Sequence, residues 1–223
     1  MNEQPTKTVA QPAIAKNTEL IKIAREYLDK LLGPGFEQAG AAIQDTVKYW
    51  RFKNQVNIVL KAKTFLEKKG INPKVVLPKT LVPILEYGSV EQVPTMQEKW
   101  AALLANAADP NRTPEITPFF PDILKQLSPA EAKLLDIIYD QIKGLSVDEV
   151  LTAVFFKKDC MAGLGISSYE HDLLIANLFR LGLCQSPQQT GIVIGSMAVA
   201  VNTKDPFSIT IIGYELVKAC RME

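Results

Sequence analysis

Histidine is nearly absent: His171 is the only one in 223 residues. That excludes metal centres built from several imidazoles. It also excludes the arginine-then-histidine pairing of HEPN-type ribonucleases, because no arginine stands shortly before it. Cysteine is scarce too. Cys160, Cys184 and Cys220 are odd in number and show no CxxC spacing, which reads as reduced, buried thiols in a cytoplasmic protein. Net charge is missing as well: 25 basic residues face 24 acidic ones, so no global field points to nucleic acid or an acidic substrate. No basic-then-apolar leader opens the chain. The longest apolar run, residues 191–201, is short for a membrane-crossing helix. Gly163-Leu164-Gly165 lacks the third glycine and the lysine of a phosphate-binding loop, and reads as a turn.

What the chain does have is helix punctuation, densest in residues 72–135. Trp100, Leu103, Leu104 and Ala107 recur at i, i+3, i+4 and i+7, one face of a helix. Ala101, Ala102, Ala105 and Ala108 are small enough to let a second helix approach closely. Asp109-Pro110-Asn111 is turn chemistry and ends that helix near Ala108. Pro121 suits a first helical turn, where its missing N–H costs nothing. Ser128-Pro129-Ala130-Glu131 is a capping box with proline at the first helical position.

The run Ala102-Leu103-Leu104-Ala105-Asn106-Ala107, then Pro118-Phe119-Phe120-x-x-Ile123-Leu124-x-Gln126-Leu127-Ser128-Pro129-x-Glu131-Ala132, resembles the abortive-infection alpha (Abi-alpha) family. Asn72-Pro73 and Trp50-Arg51 are similar to it as well, so the likeness spans roughly residues 48–135. It implies a bacterial phage-defence role. It transfers no catalytic residue and no cofactor.

Taken in order, residues 1–16 are polar, with Pro5 and Pro12, and read as a disordered arm. A helical domain is expected over residues 17–127. Asn17 or Thr18 caps its first helix, and Gly33-Pro34-Gly35 ends it. A long helix is expected over residues 36–69, stopped by Gly70. Its apolar spread exceeds one stripe, which suits a dimer or partner surface. Between Thr46 and Lys69 it carries seven basic residues against Glu67 alone. Lys48, Arg51, Lys53 and Lys61 are therefore candidate contacts to a polyanion or acidic partner. The competing reading is a solvated face balanced by acids on neighbouring helices. Tyr49 and Trp50 fit core packing better than base stacking.

Residues 128–223 read differently. Capping boxes at Ser128, Ser146 and Ser167 open three helices, the second carrying Val150, Leu151, Val154 and Phe155. Two β-favouring runs, residues 192–201 and 207–212, flank a turn-rich segment and read as a hairpin. A short helix from Tyr214 to Arg221 closes the chain. The expected fold class is mainly α: a helical N-terminal domain, then a winged-helix-like domain with a small β-hairpin wing. Eight basic against eleven acidic residues leave this second part at −3. The candidate recognition helix begins Tyr169-Glu170-His171-Asp172, with acids where cations would meet phosphate. Tyr169, His171 and Arg180 are its candidate contacts. Cys160 with His171 as a thiol dyad, and Asp136 with Asp140 as a cation site, are weaker than a buried cysteine, a surface cap residue and a solvated helix face. The sequence thus points to a cytoplasmic, non-enzymatic protein without metal or cofactor, acting through a protein partner or a homo-oligomer. A nucleic-acid-binding regulator is the alternative.

Overall fold

The computed structural model describes residues 11–32, 49–156, 160, 164–187 and 206–223. They form two compact units, residues 1–121 with 222–223, and residues 122–221.

The first unit is helical: α1 (Gln11–Leu32), α2 (Tyr49–Lys68), α3 (Pro78–Gly88) and α4 (Pro94–Ala108). Helix α1 starts at Gln11, ahead of the expected cap at Asn17 or Thr18. It buries Ala24, Tyr27 and Leu31, one helical stripe, against α2. The first half of the expected long helix lies outside the described residues. Its second half is α2, and Gly70, at φ 66°, ends it as read from the sequence. Helix α4 is the centre of the unit. Trp100, Leu103, Leu104 and Ala107 are buried as their spacing predicts, and so are Met96 and the alanines at 101, 102, 105 and 108. From Trp100 to Ala108 the helix is apolar on nearly every side, which places that part inside, and α4 packs on both α2 and α3. Pro78 and Pro94 each open a helix at a position whose N–H would have no partner.

Polar side chains of α2 hold the corner between α3 and α4. Carbonyls at a helix end need donors from outside the helix. Asn54 Nδ2 donates to the carbonyls of Ser89 (3.0 Å) and Glu91 (2.8 Å). Gln55 Nε2 donates to the Leu85 carbonyl (3.2 Å), and Gln97 Nε2 to that of Glu91 (2.9 Å).

The short α5 (Phe120–Leu124) carries Pro121 in its first turn, as expected. The second unit continues with α6 (Pro129–Ile142), α7 (Val147–Thr152), β1 (Phe155–Phe156), α8 (Ser168–Arg180), β2 (Cys184–Gln185), β3 (Pro206–Ile209) and α9 (Ile211–Ala219). All three predicted capping boxes are present, at Ser128, Ser146 and Ser167. The strands form an antiparallel sheet in the order β1-β3-β2, with Phe155 opposite Phe207 and Cys184 opposite Ile209.

Two expectations are corrected here. Val154 and Phe155 are not helical: α7 stops at Thr152, and Phe155 pairs with Phe207, their rings 5.8 Å apart. A β-branched and aromatic run fits a pleated surface better than a helix. The strand expected over residues 207–212 ends at Ile209, and the last helix starts at Ile211 rather than Tyr214. Thr210 makes that switch, its N–H bonding to the Leu183 carbonyl and its Oγ1 accepting from the Gly213 N–H (3.1 Å). Among the described residues β3 is the central strand of the three-stranded sheet. Its expected hairpin partner, residues 192–201, lies outside the described residues.

Candidate interaction surface

The sequence candidates fall on two helices, one in each unit. On α2, Lys48 lies outside the described residues. Arg51 is half-buried, and its Nε donates to Ser89 Oγ (3.1 Å). Ser89 is fully buried and its own hydroxyl donates to the Glu86 carbonyl (2.6 Å), so Arg51 braces the α3–α4 corner. Lys61 pairs with Glu98 of α4 at 3.5 Å, and Lys63 pairs with Glu67 one turn away. Lys69 lies over the Phe65 ring at 4.8 Å. Lys53 and Lys68 are exposed, and among the described residues neither has an acidic partner within 4 Å. Among the described residues the cationic run is therefore largely spent on intramolecular contacts, leaving Lys53 and Lys68 on the outer face of α2. Leu60 and Val56 lie half-buried on that face, with exposed Thr64 beside them.

On α8 the three candidates separate by face. Tyr169 is 72 % exposed, and Leu173, one turn on, is 53 % exposed. Ala176 and Arg180 continue that stripe. Arg180 is engaged at the helix end: Nε donates to Asn177 Oδ1 (2.9 Å) and a terminal nitrogen to Gln126 Oε1 (3.1 Å). His171 faces inward instead. It is 2 % exposed, with its ring 6.2 Å from that of Phe207, so it is no surface cap residue. Glu170 closes the capping box at Ser167, whose N–H and hydroxyl hold its carboxyl below the usual range. The outward start of α8 thus pairs an apolar stripe with negative charge.

All three cysteines are buried, and none of them forms a disulfide. Burial, with Cys160 beside it, pushes the Cys184 thiol up to about 12, so it stays protonated and is a poor nucleophile at neutral pH. Asp136 and Asp140 are not a bare solvated face. Both pair with Arg221, at 3.3 and 2.9 Å, and the guanidinium lies over the Tyr139 ring at 5.0 Å. Lys143 first, and then Arg221, hold the Asp140 carboxyl low. No group of three or more histidine, cysteine or carboxylate side chains suited to a metal occurs among the described residues. No described helix is long and apolar enough to cross a membrane.

Sequence reasoning missed one surface feature. Residues 145–156 expose five large apolar side chains: Leu145, Val147, Leu151, Val154 and Phe156. Only Val150 and Phe155 of this segment are buried. Its apolar spacing predicts one buried helix face, and the change from helix to strand after Ala153 sends Phe156 outward while Phe155 points in. No local spacing marks Leu145, Val147 and Leu151 as exposed.

A family model described as abortive infection alpha matches residues 53–220. No curated protein matches the chain, and no solved structure does.

Proposed function

We propose, from the premise that this chain belongs to the abortive infection alpha family, that it serves bacterial phage defence as a cytoplasmic, non-catalytic module working through protein contacts. The observation that carries the reading is the outward face of α8, where Tyr169 and Leu173 are exposed beside Glu170 and Asp172. From α6 onward the described elements run helix, helix, strand, helix, strand, strand, helix, with sheet order β1-β3-β2, which supports a winged-helix-like reading with α8 as the recognition-type helix. A helix that reads DNA needs cations at its phosphate contacts, and an apolar stripe flanked by acids suits a protein surface instead.

The test is phage challenge of bacteria expressing the chain or its Tyr169→Ala/Leu173→Glu variant. Both side chains point to solvent, so the variant should keep its circular dichroism and melting temperature while losing protection. Unchanged protection would overturn the contact. Tight, salt-sensitive binding of the purified chain to random duplex DNA would bring the nucleic-acid regulator forward, with Lys53 and Lys68 as its first contacts.

A further inference from the structure

The apolar ridge of residues 145–156 lies on α7 and β1, not on the outward face of α8. Val147 and Leu151 are one turn apart on α7, and Val154, just before β1, and Phe156, within it, are exposed while Phe155 points in against Phe207. Val147 is 56 % exposed and Phe156 49 %. Surface apolar residues scattered singly need no explanation, but five within twelve positions mark an interaction site. In the sheet order β1-β3-β2, β1 is an edge strand, so the ridge also ends on an open ladder edge among the described residues.

The charge around the ridge selects its occupant. Asp148 and Glu149 stand exposed in its first turn, and the Ser146 hydroxyl and N–H keep Glu149 ionised. Packing ridge against ridge would set these carboxylates against each other, which disfavours a symmetric contact. The complement is an apolar stripe bordered by cations, and this chain carries one. The outer face of α2 sets Leu60 and Val56 between the exposed Lys53 and Lys68. The imbalance recurs at larger scale: residues 1–127 hold seventeen basic and thirteen acidic residues, a net +4, against −3 for residues 128–223.

We infer that the ridge of residues 145–156 on one copy docks the outer face of α2 on a second copy, giving a head-to-tail self-association. Such a contact uses two different patches, so each copy keeps one patch of each kind available and growth continues to a ring or a short filament. The inference deepens the protein-contact reading by naming a second copy as a partner. It uses neither Tyr169 nor Leu173, so the two can fail separately.

Sedimentation velocity of the full chain over a concentration series, at about 0.05 M and about 0.5 M salt, tests it. The expected result is concentration-dependent association that weakens at the higher salt. Leu151→Glu/Phe156→Ser should weaken it about tenfold or more at unchanged melting temperature, because both side chains are solvent-exposed in the single chain. Asp148→Lys alone and Lys53→Glu/Lys68→Glu alone should each weaken it, and mixing these two variants should restore association between them. A chain that stays monomeric throughout overturns the inference. So does association indifferent to the ridge variant, or a mixture that fails to recover. Phage protection lost in Tyr169→Ala/Leu173→Glu while the chain stays monomeric would leave the proposed function standing and remove only the self-association.

Discussion

Gly213 occupies the first turn of α9, where a Cβ would overlap the Leu183 carbonyl and press Ile209 Cγ1 at 2.9 Å. The carbonyl belongs to the backbone beside β2 and has nowhere to move. Gly213→Ala should therefore cost about 2–3 kcal/mol and lower the melting temperature by several degrees. Gly88 is a useful contrast. A Cβ there would meet Ile58 Cδ1 at 2.7 Å and Trp100 Cγ at 3.3 Å. The nearest atom is the end of a flexible side chain, and alanine gains about 1 kcal/mol of helix propensity over glycine. Gly88→Ala should thus be much milder than Gly213→Ala in the same thermal melt. Cys184 gives a chemical test at this scale. With its thiol near 12 and all three cysteines buried, a disulfide-exchange reagent at about pH 8 should label native protein slowly and take up three equivalents only after denaturation.

At the scale of elements, the three capping boxes look alike in sequence but differ in setting. At Ser146 and Ser167 the glutamate is exposed. At Ser128, Glu131 is buried, and it accepts both the Ser128 N–H (2.6 Å) and the Asn177 amide (2.6 Å), which ties the start of α6 to α8. Glu131→Ala strips two half-buried donors of their acceptor and should cost about 1–2 kcal/mol, with smaller losses for Glu149→Ala and Glu170→Ala in urea unfolding. Arg221 joins the end of α9 to α6 through Asp136 and Asp140. Because the folded Asp140 carboxyl is held below its unfolded value, its contribution is present above the unfolded value and lost as pH falls through the folded one. Arg221→Met should lower the melting temperature at neutral pH, and the difference from wild type should shrink as pH falls below the ordinary carboxylate range.

At the scale of the molecule, near-neutral charge conceals a division: a basic first part and an acidic second one. Even in the basic part, Arg51, Lys61 and Lys63 are drawn into bonds with Ser89, Glu98 and Glu67. On α2 that leaves Lys53 and Lys68 as the exposed cations without an acidic partner among the described residues. Affinity for random duplex DNA at physiological salt should be weak, and reversing Lys53 and Lys68 should remove most of what is seen at low salt in a fluorescence-anisotropy titration. The same reversal should weaken self-association, so both effects belong to one variant and need both measurements.

The sequence by itself determined what depends on near neighbours. The three capping boxes, the glycine stop after α2, the proline-opened helices and the buried faces of α4 were all legible, because each rests on contacts within a turn or two. The family was legible too, in the run from Ala102 to Ala132. Only the tertiary structure decided the rest. Strands β1 and β2 are two residues long and exist because β3, distant in sequence, pairs with both. Arg221 reaches Asp136 and Asp140 from more than eighty positions away, and His171 turns inward because Phe207 arrives beside it. The exposed ridge follows from the same cause. Its apolar residues match a core pattern, and which of them are covered depends on where the sheet lies, a long-range packing outcome that local spacing does not encode.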